Sequence, residues 1–383
     1  MAMDKTTEAL LYLMGCALRN TPPEKIEDLD HEKLYQLSVS HSVVAMVAMA
    51  LESGGMLTEE NTPDGYIQKW KDAKLKAIRK NILLDAEREV ILQHFEDQGV
   101  WYLPLKGTIL KDMYPKMGMR QMADNDILFD VAYQRSLRHF MESRGFQTVE
   151  FQQNIHDVYE KPPVYNFEFH TALINPYRHP RWAAYYDNVK DRLVKDSENQ
   201  YGYHFSDEDF YVFLLIHGYK HYTSKGTGVR FLSDIYVYLR EKGSSLNWQY
   251  VEAELKTLGI WEFAQTTKDL AMKLFAPEAG AILAEQENQI LAYLVGAGTY
   301  GTVENWVTGE LEKMRKPNGK VTRWTKLRYV WWRLFPDREF MKVYSHFCRK
   351  HEWAIPFFRI YRLIKAFANR RNVIRQEIEA VKK

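Results

Sequence analysis

The sequence LKGTILKDMYPKMGMRQMADNDILFD, residues 105–130, decides the fold of this chain. With the apolar run before it, this stretch predicts a strand, a glycine turn, a short helix, a basic loop and a second strand. Asp124 and Asp126 begin the second strand, and alternate residues of a strand point to the same face. Like charges held side by side repel each other unless a cation joins them. The pattern therefore favours a site for a divalent cation with oxygen ligands, above all Mg²⁺.

A second interpretation of Asp124 and Asp126 is a polar turn with solvated carboxylates, because turns are rich in Asp and Asn. The residues around them favour the metal site. Gly107 directly follows the first strand, where backbone N–H groups can approach a phosphate and the next helix N-terminus favours anions. Lys106 and Arg120 would clamp that phosphate with positive charge. The apolar residues after Asp126 then anchor the carboxylates to a buried strand.

The order of these residues resembles a known family. The elements of the resemblance are Lys106-Gly107, Tyr114-Pro115 and Arg120-x-x-x-Asp124-x-Asp126-Ile127-Leu128. They resemble the nucleotidyltransferases of the DNA polymerase beta superfamily, in particular a bacterial branch of largely uncharacterised members related to abortive-infection toxins. Over about residues 95–175, the resemblance implies transfer of a nucleotidyl group from a nucleoside triphosphate. It also implies that the transfer depends on a metal, with Asp124, Asp126 and a third carboxylate on a later strand as ligands.

Three positions depart from the pattern of that family. Lys106 stands where many members have a second glycine, and Met122 stands where Ser or Thr is common. Asn125 replaces the usual apolar residue between the two aspartates. None of these changes removes a metal ligand. Met122 and Asn125 are expected to alter the contacts with the triphosphate.

The strand predicted over residues 164–173 supplies the candidate for the third carboxylate. One of its faces is apolar and is expected to lie on the core, and the other face carries Glu168 and His170. Glu168 would complete the metal site or act as the base that activates the acceptor hydroxyl. A solvated polar strand face is the alternative, and the role of His170 stays open.

Two further cations are candidates for contacts with the triphosphate. Lys220 lies on a helix predicted over residues 210–222, and Arg230 ends a glycine-bearing segment, 225–230, that lacks the Walker spacing and a preceding strand. That segment is most simply a loop between helices. Arg230 can nevertheless pair bidentately with phosphate oxygens, and Asp234, four residues on, is expected to orient it.

The helix with Lys220 also carries His217 and His221 at a spacing that places both on one face. This spacing can bind Zn²⁺, but the His-Glu-x-x-His motif is missing and the sequence shows no evident third ligand. The pair is therefore expected to border the cleft or to lie in the core or on the surface.

Composition places the chain among ordinary globular proteins of two or three domains. It has 383 residues, of which 46% are hydrophobic and 27% charged. The two cysteines, Cys16 and Cys348, are far apart and suit a reducing cytoplasm. The N-terminus is unlike a signal peptide, and the best apolar run, 43–51, is too short to span a bilayer. We expect a cytoplasmic protein, with peripheral membrane attachment left open.

Charge is unevenly distributed along the chain. Residues 313–383, here called the basic tail, contain 20 Lys and Arg against 5 Asp and Glu, a net charge of +15. Bases alternate with aromatic residues in this segment, and Pro317-Asn318-Gly319 is a plausible hinge before it. The tail could lie on an anionic membrane, bind RNA by stacking its aromatics on bases, or pack its aromatics into a helical bundle.

The sequence as a whole predicts an α+β fold in four parts. These are an N-terminal helical segment (1–98), a nucleotidyltransferase-like core (99–178), a helical domain (179–312) and the basic tail (313–383). The first part is expected to contain helices over 6–19, from Asp30 to Gly54, and over 63–97. Strands are expected over 100–105, 124–129, 146–151, 156–160 and 164–173.

The predicted function is Mg²⁺-dependent nucleotidyl transfer to an acceptor that the sequence does not identify. The catalytic and metal-binding candidates are Asp124, Asp126 and Glu168. The nucleotide-binding candidates are Lys106, Gly107, Arg120, Lys220 and Arg230. The alternatives are a non-catalytic nucleotide-binding or scaffold protein and a toxin-type enzyme that modifies tRNA.

Overall fold

The computed structural model describes residues 3–276, 281–315, 319–369 and 371–382. As predicted, the architecture is mixed α+β, with a five-stranded sheet, a small two-stranded sheet and helices at both ends of the chain. The helices are α1 (Lys5–Arg19), α2 (His31–Ser40), α3 (Val44–Ser53), α4 (Tyr66–Gln98), α5 (Gly107–Leu110), α6 (Gln134–Ser143), α7 (Pro180–Tyr185), α8 (Asp207–Tyr222), α9 (Arg230–Lys242), α10 (Trp248–Leu258), α11 (Trp261–Phe275), α12 (Glu285–Ala297), α13 (Val303–Met314), α14 (Arg323–Leu334), α15 (Arg338–Tyr344), α16 (His346–Lys350), α17 (Ile355–Asn369) and α18 (Arg371–Lys382).

The larger sheet has the order β1-β2-β5-β4-β3. Its strands are β1 (Tyr102–Pro104), β2 (Asn125–Phe129), β3 (Gln147–Glu150), β4 (His156–Lys161) and β5 (Tyr165–His170). The central pair, β2 and β5, is parallel, and the other neighbours are antiparallel. Asp126 is the register partner of Glu168, so two of the predicted metal ligands point to the same face on adjacent strands. The second sheet, β6 (Val194–Lys195) with β7 (Tyr203–His204), was not predicted.

One N-terminal prediction was wrong. The single helix expected from Asp30 to Gly54 is broken into α2 and α3. Ser42, between them, has a φ of 54°, a left-handed conformation that a helix does not contain. Its neighbour His41 is buried and accepts a hydrogen bond from the backbone N–H of Val229 at 3.3 Å. The break therefore attaches the α2–α3 corner to the loop before α9.

The two faces of the larger sheet have different partners. Odd-numbered positions of β2 and β5, such as Ile127, Phe129, Phe167 and Phe169, pack against apolar residues of α4 and α6. Burial of side chains of this size stabilises the fold by about 1.5–3 kcal/mol each. The even-numbered positions point to the opposite face, towards α8. The apolar side of the sheet thus fixes the position of the polar side, where the candidate site lies.

A second, larger core joins segments that are distant in sequence. Helices α1 to α3 share it with α8 to α12, so the N-terminal segment and the helical domain pack as one body. The 33-residue helix α4 contributes to both cores. Trp70, near its start, lies in the larger core, and Phe95, near its end, lies in the core under the sheet. Gly99 ends the helix with a φ of 68° and leads the chain into β1.

The basic tail is helical and touches the sheet domain. Asn154 donates a backbone hydrogen bond to the carbonyl of Val343 at 3.3 Å, and Tyr177 donates to Asp337 at 2.7 Å. One small core around Met341 lies within the tail, and another packs Tyr329 of the tail against Trp306, Val307 and Leu311 of α13. Of the predicted hinge, Pro317 and Asn318 lie outside the described residues. Among the residues described, no helix has the length and apolarity needed to cross a bilayer.

Candidate active site

The turn between β1 and α5 holds Lys106 in a backbone conformation that non-glycine residues rarely adopt. Its φ is 51° and its ψ is −112°, which crowds the Cβ of any residue other than glycine. A glycine at this position, as in many members of the resembled family, would take this conformation without strain. The turn places the Lys106 ammonium 2.8 Å from Oδ1 of Asp126.

Gly107 is required by the side chain of Arg120. A Cβ at position 107 would lie 2.3 Å from Nη1 of Arg120 and 3.0 Å from Sδ of Met122. Arg120 donates from Nε and Nη2 to the two carboxylate oxygens of Asp234, at 2.8 and 3.1 Å. Its Nη1 donates to the Met122 sulfur at 3.2 Å. The guanidinium is therefore fixed beside the turn, with Asp234 as its counter-ion.

Asp126 accepts from two groups at once. Lys106 Nζ and His170 Nε2 lie 2.8 and 2.7 Å from its Oδ1. Burial alone would raise the pKa of Asp126, but the charge of Lys106 and the hydrogen bond from His170 outweigh it and lower the pKa. Burial lowers the pKa of His170 to about 4, so the neutral ring donates its Nε2–H to the carboxylate. Asp126 is thus ionised and already paired.

Asp124 and Glu168 lie beside this pair without such partners. Within the described ranges, neither carboxylate accepts a hydrogen bond, and Glu168 Oε2 lies 3.8 Å from His170 Nε2 and 3.9 Å from His156 Nε2. Burial, followed by repulsion from Asp126, raises the pKa of Asp124. The same two causes raise the pKa of Glu168 to about 8. The three carboxylates therefore repel one another, and Lys106 offsets that repulsion only in part.

Two of the departures from the family pattern lie away from Asp126. Asn125 points to the other face of β2, where its Oδ1 accepts from Arg88 of α4 at 3.0 Å. Met122 is buried in the core under the sheet and contacts Arg120. The expectation that they alter triphosphate contacts therefore has no support for Asn125, whose side chain is fully buried. Met122 can act only through the position of Arg120.

Helices α8 and α9 bring two more cations to the site. Lys220 is partly buried near Lys106, and burial with the charge of Lys106 lowers its pKa to about 8, although Asp126 and Glu168 attract its charge. Arg230 donates to the backbone carbonyl of Gln121 at 3.0 Å, and burial lowers its pKa. Among the described residues no carboxylate lies within 4.0 Å of either cation. Asp234 pairs with Arg120, so the prediction that it orients Arg230 was wrong.

The two histidines of α8 contact each other. His217 Nε2 and His221 Nε2 are 3.2 Å apart, which requires that one neutral ring donates to the other. Burial and the charge of Lys106 lower the pKa of His217, and burial with the charge of Lys220 lowers the pKa of His221 to about 3. The charge of Lys106 acts on both rings, so they lie near the candidate site, and the expectation that they border a cleft stays a prediction.

His156 was not singled out in the sequence. It begins β4 and is the register partner of His170 on β5, so its ring lies 5.2 Å from that of His170. Burial lowers its pKa. A strand assignment for β4 was available from the sequence, but the register that pairs these two histidines was not.

The structure brings the predicted residues of distant segments close together. Asp124, Asp126 and Glu168 stand at the edge of β2 and β5, Lys106 and Gly107 lie in the turn before α5, and Arg120 adjoins them. Lys220 and Arg230 face them from the helices. Their roles at the site remain predictions.

Comparisons with known proteins give one match. The searches of curated proteins and of solved structures returned no match. A family model described as an uncharacterised nucleotidyltransferase matches residues 27–276, about two thirds of the chain, from α2 to the end of α11. The matched range contains every residue of the candidate site. The chain therefore belongs to this family of uncharacterised nucleotidyltransferases.

Proposed function

We propose that the protein transfers a nucleotidyl group from a nucleoside triphosphate to an acceptor hydroxyl, with Mg²⁺ as the cofactor and Asp124, Asp126 and Glu168 as the site of the metal. The observation that carries the proposal is the convergence of three carboxylates, two of which have no hydrogen-bond donor among the described residues. Like charges held this close stay ionised at neutral pH only when a cation compensates them, and otherwise they take up protons. The family match supports the reaction class.

The donor set suits Mg²⁺. This ion takes oxygen ligands, keeps several waters and is held by one or two carboxylates together with substrate phosphates. Asp124 and Glu168 offer such oxygens, and both residues remain partly exposed. When bound, the metal would neutralise negative charge on the triphosphate during transfer.

The cations of the candidate site are proposed to hold the triphosphate. Lys220 and Arg230 are partly buried and lack a carboxylate partner among the described residues, so phosphate oxygens would replace water around them. Lys106 is close enough to contribute if it exchanges Asp126 for a phosphate. Arg120, held by Asp234, supplies charge from a fixed position. The backbone of Gly107 would lie next to the phosphates at the start of α5.

The proposed reaction needs one base, which takes the proton of the acceptor hydroxyl. The acceptor oxygen attacks the α-phosphorus, a new O–P bond forms, the bond from the α-phosphorus to the bridging oxygen breaks, and pyrophosphate leaves. Glu168 is proposed to take the hydroxyl proton. With its pKa near 8, it is largely protonated at pH 7 in the metal-free protein. It can act as a base only when added positive charge at the site lowers that pKa.

Calorimetry with each of the four ribonucleoside triphosphates and Mg²⁺ tests this site. The proteins compared are the wild type, the double variant Asp124→Asn/Asp126→Asn and the matched control Asp112→Asn, whose side chain is exposed on the turn after α5. We expect saturable binding by the wild type and the control but not by the double variant. Equal binding by all three would contradict the proposed site.

Turnover separates an enzyme from the alternatives. With α-phosphate-labelled nucleotide and a cell extract as the acceptor source, an enzyme labels a macromolecule or metabolite and Asp126→Asn abolishes the labelling. A non-catalytic nucleotide-binding or scaffold protein binds nucleotide without labelling. A toxin-type enzyme labels tRNA and arrests growth on overexpression. Labelling that persists in Asp126→Asn would contradict catalysis by this site.

For the basic tail we propose contact with an anionic membrane surface. Trp324 is 80% exposed, and Leu327 and Trp331 follow it on the same face of α14. On α17, Phe357, Ile360 and Ile364 form a similar exposed stripe. Aliphatic side chains in both stripes suit a lipid interface better than stacking on bases. The expected aromatic bundle accounts for only part of the tail, namely the two small cores around Tyr329 and Met341.

A further inference from the structure

A cluster of two imidazoles and a carboxylate lies next to the proposed Mg²⁺ site. The potential ligand atoms of His156, Glu168 and His170 all lie within 4.8 Å of one another. The cluster is built on adjacent antiparallel strands, since His156 pairs with His170 in register and Glu168 is two residues before His170 on the same face. Strand positions of this kind hold side chains more precisely than loops do.

We propose that His156, Glu168 and His170 bind a first-row transition-metal dication, such as Mn²⁺, Co²⁺ or Zn²⁺. Imidazole nitrogen is a common ligand for these ions, whereas Mg²⁺ takes oxygen ligands. The site goes beyond the proposed function, because nothing in nucleotidyl transfer by Asp124 and Asp126 calls for the two imidazoles. Glu168 belongs to both sites and would link the two ions or select between them.

Two of the three distances in the cluster are close to those of a metal site, and the third, between the histidine nitrogens, is at most 4.8 Å. Glu168 Oε2 lies 3.9 Å from His156 Nε2 and 3.8 Å from His170 Nε2. Tetrahedral bonds of about 2.0–2.1 Å place ligand atoms about 3.3 Å apart. Small side-chain rotations that move the atoms by a few tenths of an ångström would therefore shorten both distances from Glu168 to that value. Asp126 Oδ1, 2.7 Å from His170 Nε2, is the nearest candidate for a fourth ligand.

The hydrogen bonds of His156 and His170 indicate which ring nitrogen carries the proton. Nδ1 of His156 and Nδ1 of His170 are buried without a partner among the described residues. The proton of each neutral ring is therefore better placed on Nε2, which faces carboxylate oxygens, and a metal would replace it there. Ligating histidines usually donate their other N–H to an acceptor. Since both rings lack one here, we expect weaker binding than at a site with such acceptors.

The position of Lys106 is consistent with a dication at His156, Glu168 and His170. Its ammonium lies 2.8 Å from Asp126 Oδ1 and supplies positive charge to the carboxylates. A dication bound by Glu168 and His170 would repel Lys106. The freed ammonium would then be available to a phosphate oxygen, and in that respect alone the inference rests on the proposed function.

Spectroscopic titration of the full-length, nucleotide-free protein tests the site. The protein, stripped of metal with a chelator, is titrated with Co²⁺ and with Mn²⁺ in the presence of excess Mg²⁺. We expect one equivalent of Co²⁺ or Mn²⁺ to bind despite Mg²⁺, with ¹⁴N coupling from imidazole in the Mn²⁺ electron spin-echo spectrum. Absence of binding, or binding without ¹⁴N coupling, would overturn the proposal.

Variants locate the ligands. His156→Ala should weaken Co²⁺ binding at least tenfold, while His221→Ala, a change in the neighbouring pair on α8, should leave it within twofold. The reverse pattern would place the metal on α8 and overturn the proposal. Asp124→Asn should lose Mg²⁺–nucleotide binding and keep Co²⁺ binding, so a failure of the proposed function and a failure of this site give different results. Circular dichroism establishes that each variant is folded. If a variant is unfolded, the ¹⁴N coupling in the Mn²⁺ spectrum of the wild type decides the proposal.

Discussion

Arg120 occupies the space that a side chain at Gly107 would need, because a Cβ there would lie 2.3 Å from Nη1 of the guanidinium. The glycine of the turn is therefore explained by packing inside the protein, before any phosphate is considered. Since Asp234 holds Arg120 from the other side, the guanidinium has little freedom to move away. The turn, the loop before β2 and helix α9 are joined at this point.

Gly107→Ala should destabilise the protein by about 1–3 kcal/mol, the usual cost of forcing extra volume into a packed site. Urea denaturation measures the change. The matched control is Gly296→Ala in α12, where a Cβ would meet no atom within 4 Å. It should be neutral or stabilising by up to about 1 kcal/mol, since alanine favours helix. Equal changes in the free energy of unfolding for the two variants would show that Arg120 can move aside at little cost.

Lys106→Gly and Lys106→Ala separate backbone strain from charge. Both remove the ion pair with Asp126, but only glycine relieves the positive φ of position 106. Strain of this kind costs of the order of 1–3 kcal/mol, partly offset by the greater entropy of unfolded glycine. We therefore expect Lys106→Gly to be the more stable variant by about 1 kcal/mol in urea denaturation. A more stable alanine variant would contradict the strain.

Lys220 should take up a proton when a triphosphate binds. Burial and the charge of Lys106 lower its pKa to about 8, so at pH 8 about half of the molecules carry the charge. Phosphate oxygens favour the ammonium and raise the pKa, which draws in protons. Glu168, whose pKa is also about 8, would release protons in the same experiment. The prediction is therefore a difference between two proteins.

Calorimetry at pH 8 in buffers of different ionisation enthalpy measures this difference. Wild type should take up about half a proton more than Lys220→Met on binding Mg²⁺ and nucleotide. The difference should shrink at pH 6, where Lys220 is already charged. Identical proton balances at pH 8 would remove Lys220 from the nucleotide site.

The lowered pKa of Lys220 also determines how the stability of the metal-free protein changes with pH. Unfolded Lys220 titrates near 10.5 and folded Lys220 near 8, so between these pH values the unfolded state binds more protons. Stability linked to this residue should therefore rise as the pH increases from 8 to 10.5 and be lowest below 8. Lys220→Met should lack this part of the pH dependence in urea denaturation and should be the more stable protein at pH 7.

The exposed stripes of the tail predict lipid selectivity. Full-length protein should sediment with vesicles that contain anionic phospholipid and not with neutral vesicles, and salt should reverse the binding. Trp324→Ser/Trp331→Ser should weaken sedimentation at least fivefold without unfolding, because both side chains are largely exposed. Tyr12→Ser, at an exposed aromatic of α1 outside the tail, is the control. Binding to RNA but not to vesicles would favour the other interpretation of the tail.

The placement of the carboxylates on strands could be predicted because it depends on short local patterns, whereas their roles stay predictions. The spacing of Asp124 and Asp126, and the alternation around Glu168, depend only on strand geometry. Both were readable from the chain, and the register of β2 with β5 brings them together. The long helix α4 was equally clear, since its apolar periodicity runs to Gly99 without interruption.

Long-range pairings were not readable in the same way. The partner of Asp234 was expected four residues away on its own helix, yet it lies 114 residues away at Arg120. His156 gained significance only through its register with His170. The break between α2 and α3 depends on Ser42 and on the contact of His41 with Val229. In each case tertiary contacts, which a single sequence does not display, decided the outcome.

Helix α4 has a consequence for how the molecule comes apart. Because one continuous helix supplies Trp70 to the larger core and Phe95 to the core under the sheet, neither core can open fully without disturbing the other. A chain cut at Gly99 would deprive the sheet of one of its walls, so the sheet domain is not an independent folding unit. We therefore expect that loss of either core unfolds the other core and the candidate site in one cooperative transition.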